Sequence, residues 1–304
     1  MALTERPYRD AADFAAMQAL ISREWLQHRP LVTYTVGDLE WWGINDPDET
    51  PEKLVRLWFD GSELVGWAWG EPPDAAAWMA TPAASLEVLG DVVDDLEANV
   101  PPDPATGLRR TRTYARDDEV AAVELLTRRG YVPDDRAFSQ WVRQLPPGGG
   151  PAVPEVSLPP GYRRASTSWP DDIERRVEVH RSAFAPSRMT VEKYRAILDC
   201  EHYAPERDRV IVAPDGTFAA FANAWWDPVA RVGELEPVGV HADHRRLGLG
   251  RAVCFDAYRA LADLGARECV IFSSVTNAAS EGLYASLGAT AVTTNRRYTR
   301  SVRP

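Results

Sequence analysis

The chain has 304 residues, of which 45% are hydrophobic and 26% are charged, and its formal net charge is −11. This composition is typical of a globular protein with chain enough for two hydrophobic cores, and the acidic balance disfavours nucleic acids and anionic membranes as partners. Because no apolar run approaches the roughly 20 residues that cross a bilayer, and no signal segment opens the chain, the sequence predicts a cytoplasmic protein.

Three landmarks of the N-terminal half recur in the C-terminal half, each about half a chain later. They are Tyr8 and Tyr162, the strand and hairpin turn at 57–62 and 211–217, and the segments 125–131 and 283–289. Repetition at a nearly fixed offset predicts a tandem duplication of one α/β unit.

A segment rich in proline and glycine divides the two repeats, reading PPGGGP from Pro146 and PPG from Pro159. Such a density of helix and strand breakers predicts an interdomain linker. We therefore predict a first domain at 1–145, a linker at 146–160 and a second domain at 161–304.

The sequence allows two roles for the tryptophan residues and two for the cysteine residues. The tryptophans Trp67, Trp69, Trp225 and Trp226 lie in strand-like segments, where they either line a substrate pocket or pack in a core. The cysteines Cys200, Cys254 and Cys269 are too scattered for a disulfide framework or a zinc site, so burial is favoured over a reactive thiol.

The strand-like run at 233–240 carries two acidic residues in alternation. Successive side chains of a strand point to opposite faces, so Glu234 and Glu236 share one face. They are either carboxylates that act as a base in a cleft or ordinary solvated side chains. Pro237 has no N–H to donate, so we expect the sheet to be locally unpaired there.

A basic, glycine-spaced turn follows this strand and opens a helical segment at 252–264. Gly248 and Gly250 lack a Cβ, which lets the backbone bend tightly and approach a ligand closely. The free amides would lie at a helix N-terminus, where the dipole favours anions. Charge-assisted donors come from Arg245, Arg246 and Arg251. The turn is therefore predicted to bind a pyrophosphate, although it matches neither a Walker loop nor a dinucleotide fingerprint.

Two further groups of polar residues lie close to this turn in sequence. Asn277, Ser280 and Tyr284 have i, i+3 and i+7 spacing and share one helix face, as packing or chemistry would require. His241 and His244 have no third ligand nearby, so we predict a loop and no metal site.

The R-x-x-G-x-G spacing after a V-x-V strand resembles the acetyl-CoA motif of the GNAT family of N-acetyltransferases, and the segment 277–289 matches the same family. The resemblance implies that Asn277 opens a helix near the cofactor and that Tyr284 protonates the departing CoA thiolate. The implied acetyl-CoA-binding residues are Val238, Gly239, Val240, Arg245, Arg246, Leu247, Gly248, Leu249, Gly250, Arg251 and Asn277.

A general base is also required, because an acceptor ammonium must lose a proton before its nitrogen attacks a thioester. Glu236 is the first choice, since it lies nearest the V-x-V amides that by resemblance bind the pantetheine and the thioester carbonyl, and Glu234 is the second. The backbone N–H of Val238 is the candidate oxyanion donor.

The N-terminal half lacks the corresponding polar residues. Its counterpart of the phosphate turn lies near 83–91, has no arginine and adds acids, while Glu119 and Leu126 replace Asn277 and Tyr284. This half is therefore predicted to be a degenerate domain that holds no CoA and either shapes the acceptor pocket or mediates association.

As a whole, the arrangement resembles tandem GNAT proteins, including mycothiol synthase. The resemblance implies an α/β fold of two GNAT-like domains, each a mixed, mostly antiparallel sheet flanked by helices. It implies an acetyl-CoA-dependent N-acetyltransferase for the primary amine of a small molecule, active in the C-terminal domain as a monomer or homodimer. A mycothiol-synthase-like biosynthetic enzyme is one alternative. A non-catalytic acyl-CoA sensor or scaffold is another, but it would not need Tyr284.

Overall fold

The computed structural model describes residues 3–45, 50–146 and 153–303. The middle of the predicted linker, at 147–152, lies outside the described residues. None of the helices in the described ranges is both long and apolar enough to cross a membrane.

Runs of strands and runs of helices follow one another in the described ranges. The strands are β1 (Thr4–Pro7), β2 (Val55–Asp60), β3 (Glu63–Glu71), β4 (Ala75–Ala80), β5 (Arg109–Arg116), β6 (Val132–Gln144), β7 (Arg163–Ser166), β8 (Asp208–Val212), β9 (Phe218–Asp227), β10 (Val232–Val240), β11 (Glu268–Ser274) and β12 (Thr290–Val302). The helices are α1 (Ala11–His28), α2 (Val36–Asn45), α3 (Pro51–Leu54), α4 (Ser85–Asn99), α5 (Val120–Arg128), α6 (Ile173–Ala183), α7 (Val191–Arg195), α8 (Leu249–Asp263) and α9 (Ala278–Ser286).

Within the described residues, all the strands join one sheet in the order β1-β2-β3-β4-β5-β12-β6-β11-β10-β9-β8-β7. Neighbouring strands are antiparallel except for the pairs β4–β5 and β10–β11. The order is symmetric about the β12–β6 pair, so each strand of the first half has a counterpart in the second. The predicted tandem α/β fold with mixed, mostly antiparallel sheets is confirmed.

Each half gives its last strand to the other half. Residues 295–302 of β12 pair with β5, and residues 138–144 of β6 pair with β11, while β12 and β6 also pair with each other. Neither half therefore completes a sheet from its own strands. The domain boundaries near residues 145 and 161 remain a prediction.

Helices cover both faces of the sheet because alternate strand residues enter different cores. Leu57 and Trp67 pack with α1 and α2, whereas their neighbours Trp58 and Ala68 pack with α4 and α5. In the C-terminal half, α8 packs on one face of β9, and Phe221 of β9 packs against α6 on the other. This is the layered architecture of α/β domains.

Candidate active site

The turn that leads into α8 presents a row of backbone amides. Gly248 precedes the helix with φ +75°, a left-handed conformation that favours glycine, and Arg246 has φ +65°. No described residue accepts a hydrogen bond from the N–H groups of residues 246–251. The first N–H groups of a helix have no partner within it, so this end of α8 has free donors and the polarity that suits an anion.

Three arginines surround these amides, and all are exposed. Arg245 donates to the carbonyl of Ala183 (3.2 Å), and the guanidinium of Arg251 lies 5.4 Å from the ring centre of Phe255. Among the described residues, no carboxylate forms an ion pair with Arg245, Arg246 or Arg251, and the first turn of α8 contains no acidic residue. The helix entry is therefore a cationic patch on an acidic protein.

A slot opens in the sheet next to this patch. β10 and β11 pair in parallel only from Val232 to Glu234, after which β10 follows β9 and β11 follows β6. The β9–β10 register then shifts between Leu235 and Val238. The predicted break at Pro237 is thus confirmed, and the strands separate where the two acidic residues lie.

Side-chain donors hold the bulge in place. The carbonyl oxygen of Glu236 accepts hydrogen bonds from the amide of Asn223 (3.0 Å) and from the indole N–H of Trp225 (2.8 Å). Both side chains are buried and replace the ladder bonds that the bulge removes. Trp225 therefore has a structural role.

Three carboxylates converge at the slot. Glu234 and Glu236 of β10 lie with Asp38 of α2 so that one oxygen atom from each is within 4.8 Å of the others. Glu234 is 1% exposed and Asp38 is 7% exposed. The alternation of the two glutamates therefore does place them together, in a buried cluster and not on a solvated edge.

The environment of this cluster disfavours negative charge. Burial raises the pKa of all three carboxyls, and the charge of Glu236 raises the pKa of Asp38 and of Glu234 further. No described lysine or arginine forms an ion pair with any of them. The cluster therefore either retains protons or attracts a cation. Because carboxylate oxygens also suit Mg²⁺ and Ca²⁺, the expected absence of a metal remains a prediction.

The N-terminal half delivers Asp38 to this cluster. A Cβ on Gly37 would lie 2.4 Å from Trp225 Cγ of β9 and 2.7 Å from Glu234 Oε2 of β10, so only glycine lets α2 approach these strands this closely. Thr35 donates its hydroxyl to Glu234 Oε2 and its backbone N–H to Asp38 Oδ2 (2.7 Å). Sequence reasoning missed Thr35 and Asp38, because no local motif links positions almost 200 residues apart.

A cavity of about 620 Å³ opens beside Asp38 and Glu236, within the size range of small-molecule sites. Its aromatic walls are Tyr34, Trp42, Trp69, Tyr114, Phe138 and Phe272. Most of these belong to the N-terminal half, which therefore shapes the cavity. Of the four tryptophans considered from the sequence, Trp69 lines it, Trp67 and Trp225 are core residues, and Trp226 packs against the core.

Tyr284 lies on α9, outside the lining of this cavity. Its side chain is 6% exposed, and burial raises its pKa far above the usual range, with further contributions from Cys254, Glu236 and Glu281. Tyr284 packs in the core that also contains Leu249 of α8, and Val238 and Val240 of β10 pack against this core. Asn277 caps α9, because its Oδ1 accepts from the N–H of Ser280 (3.3 Å).

The other sequence candidates have local structural roles. Burial raises the pKa of Cys254 to about 12, which disfavours a thiolate nucleophile. His241 Nδ1 accepts from the N–H of Asp243 (3.3 Å), and His244 Nδ1 lies 2.9 Å from the hydroxyl of Tyr162. The two histidines thus stabilise the loop before α8.

Comparison with known proteins agrees with this geometry. Residues 174–289 match the family described as Acetyltransferase (GNAT) family. The C-terminal part of the chain therefore contains a GNAT acetyltransferase domain. It is 25% identical over 209 residues to a mycothiol acetyltransferase of Paenarthrobacter aurescens, covering 66% of this chain but only 62% of that protein. It is 28% identical over 258 residues to the mycothiol acetyltransferase of Thermobispora bispora, covering 80% and 82% of the two chains.

Solved structures show the same tandem fold. A GCN5-related N-acetyltransferase from Sphaerobacter thermophilus superposes with a TM-score of 0.67 at 19% identity, covering 99% of this chain and 96% of that one. A tandem GNAT protein from the clavulanic acid biosynthesis pathway superposes with a TM-score of 0.65 at 12% identity, covering 100% and 99%. The family resemblance that residues 238–251 and 277–289 carry is therefore confirmed, as is the tandem architecture.

Proposed function

We propose that this GNAT protein transfers an acetyl group from acetyl-CoA to the primary amine of a small molecule, in the slot between β10 and β11. The observation that carries the proposal is a helix N-terminus with free amides next to the β10 segment that follows a candidate base, Glu236, with a candidate acid, Tyr284, in the core against which Val238 and Val240 pack. Such a pair can remove a proton from the nucleophile and return one to the leaving group.

The residues of the turn fit the donor molecule. The amides of residues 246–251 and the three exposed arginines would hold its pyrophosphate, and the β10 segment Val238–Val240 would run along its pantetheine arm. A Cβ on Gly250 would lie 3.2 Å from Val240 Cγ2, so the turn and β10 meet closely without side-chain bulk. When bound, acetyl-CoA supplies the acyl group as an activated thioester.

The carboxylates account for the acceptor end. An ammonium group placed among Asp38, Glu234 and Glu236 would stabilise their charged forms, which burial disfavours. Glu236 faces the cavity, whereas Glu234 is fully buried, so Glu236 is the residue that takes the proton. A raised carboxyl pKa lies closer to that of an amine and makes this transfer less unfavourable.

Tyr284 completes the proton balance. Its raised pKa keeps the phenol protonated at neutral pH, as a proton donor requires. For unperturbed groups, transfer from a phenol near ~10 to a thiolate near ~8.5 is uphill by about 2 kcal/mol. The raised pKa of Tyr284 makes the step more unfavourable unless burial raises the pKa of the leaving thiol as well. The N–H of Val238 is the proposed donor to the oxyanion.

The similarity to two mycothiol acetyltransferases favours a narrower second candidate, an acetyl transfer that forms mycothiol. Both candidates use the same residues and differ in the acceptor.

The first test is calorimetric titration of acetyl-CoA into the wild-type protein and an Arg246→Glu variant, followed by a free-thiol release assay across a panel of amines. We expect one site per chain, with affinity about tenfold or more weaker in the variant, because a charge-assisted donor becomes a repulsive charge. Arg128→Glu, an exposed position of α5 in the N-terminal half, is the matched control. Absence of binding, or binding that Arg246→Glu leaves intact, would overturn the proposed donor site.

A further inference from the structure

We propose that the acceptor amine carries an anionic group, a carboxylate or a phosphate, at its far end, and that Arg136 and Arg188 bind this group. The inference rests on the proposed function for the amine end. It comes from the cavity of about 620 Å³, which Asp38 and Glu236 line together with these two arginines.

Both guanidinium groups are free to bind a ligand. Arg136 and Arg188 are exposed, and among the described residues neither forms an ion pair with a carboxylate. Many arginines elsewhere in this acidic chain are paired, such as Arg112 with Asp74 and Arg297 with Asp134. Two unpaired guanidinium groups therefore line the same cavity as the carboxylates Asp38 and Glu236.

The loop that carries Arg188 is anchored on both sides. The preceding residue, Ser187, accepts a hydrogen bond from the N–H of Met189 (3.3 Å), and the carbonyl of Met189 accepts one from Arg181 Nε (2.6 Å). Met189 itself is buried, and Thr190 caps α7. A fixed backbone lowers the entropy that an ordered Arg188 side chain would cost on binding.

Arg136 approaches the cavity from the other half of the chain. It lies on β6, and its guanidinium carbon is 5.5 Å from the ring centre of Phe138, another wall residue. Its charge opposes the rise in the pKa of Tyr114 that burial and Glu71 cause, so the guanidinium lies close to that wall. Glu71 is the remaining acid there, and it accepts from the Tyr114 hydroxyl (3.0 Å).

The cavity thus offers opposite charges to a single ligand. Asp38 and Glu236 would receive an ammonium group, the aromatic walls an apolar middle, and the arginines an anion. A guanidinium group presents a planar fork of donors that matches carboxylate and phosphate oxygens. An amine with a cationic far end would instead be repelled by Arg136 and Arg188.

The test is a series of linear primary amines of matched length that end in a carboxylate, a phosphate, a hydroxyl or a second ammonium. We expect kcat/KM at least about tenfold higher for an anionic end than for the hydroxyl, with the diamine lowest. The carboxylate and phosphate arms show which anion the site prefers.

Variants assign this preference to the two arginines. Arg136→Ala and Arg188→Ala should each lower kcat/KM for the anionic amines about tenfold more than for the hydroxyl amine, and Arg188→Glu should shift the preference towards the diamine. Arg195→Ala, an exposed arginine outside the cavity lining, is the matched control.

The outcomes separate this inference from the proposed function. Equal use of all four amines would overturn the anion site while leaving acetyl transfer intact, as would a preference that Arg188→Glu does not change. If no amine is acetylated, the proposed function fails. In that case, calorimetric binding of the anionic amines decides the site, because binding that Arg188→Glu abolishes would retain it and absence of binding would reject it.

Discussion

The helix that follows the central parallel strand begins differently in the two halves. α8 starts after a left-handed glycine, with free amides, three exposed arginines and no acid in its first turn. Its counterpart α4 has Glu87 in the first turn, where the carboxylate accepts from the N–H of Leu3 (3.1 Å), and Ser85 Oγ bonds to the Pro82 carbonyl (3.0 Å). In the N-terminal half, the N-terminus of α4, which would otherwise attract an anion, already has the carboxylate of Glu87 beside it.

The last helix of each half repeats this contrast. Glu119 lies before α5 as Asn277 lies before α9, but its carboxylate accepts from the N–H of Arg116 (2.9 Å). Leu126, at the position of Tyr284, is fully buried in the core. A cleft of about 380 Å³ remains there, but Arg116 in its lining is paired with Asp118 and Glu119. The two halves thus share a fold, whereas the unpaired polar groups that we propose bind acetyl-CoA lie, among the described residues, in the C-terminal half.

The largest expected effect comes from Tyr284→Phe. This change removes the proton donor and should lower kcat by about 10²-fold or more, while the calorimetric affinity for acetyl-CoA stays within about twofold. Tyr258→Phe is the matched control, since Tyr258 is a buried tyrosine of the same core whose hydroxyl has no partner among the described residues. Unchanged turnover in Tyr284→Phe would mean that Tyr284 is not the proton donor. The tyrosine of α9 would then have no functional advantage over the leucine at the same position of α5.

A smaller effect is expected from Gly248→Val. A β-branched residue at φ +75° strains the turn by about 1–3 kcal/mol, so the amides should lose their alignment and acetyl-CoA should bind about tenfold or more weakly by calorimetry. Gly61→Val is the control, because Gly61 has φ +59°, equally open surroundings and a place in an N-terminal hairpin. If both variants bind acetyl-CoA like the wild type, the phosphate site lies elsewhere.

The smallest effect concerns pH and stability. The folded-state pKa of Glu234 is raised, so the native state holds its proton more tightly than the unfolded chain, and the free energy of unfolding falls as pH rises from about 4.3 through the raised value. Glu234→Gln should make this decline shallower in urea denaturation at several pH values. The exposed Glu124→Gln should leave the slope unchanged. An identical slope in all three proteins would mean that folding does not change the pKa of Glu234. In that respect β10 would then be no different from its counterpart β4, which contains no acidic residue.

Local patterns were enough to predict the elements around the site. The V-x-V strand, the glycine turn, the Asn277 cap and the break at Pro237 depend on neighbours in sequence, and the structure has each of them. Long-range packing was not predictable in this way. Asp38 meets Glu234 only because Gly37 allows α2 to approach β10, and single-sequence periodicity contains no information about that contact.

The cavity wall shows the same limit. The repeat offset predicted a duplicated unit but not the exchange of β6 and β12, so Arg136 and Phe138 could not be assigned to a pocket that also contains Glu236. Alternation placed the two glutamates on one face, but whether that face was solvated or buried depended on the opposite half.

The exchange of β6 and β12 also sets the order in which the molecule can fold. The sheet of the N-terminal half lacks its partner for β5 until Thr290–Val302 has been synthesised, about 180 residues after β5 itself. During translation, β5 would expose an unpaired edge for many seconds at about 5–20 residues per second. A nascent chain of this protein is therefore expected to need shielding of that edge, and closure of the whole sheet is a late event that involves both halves at once.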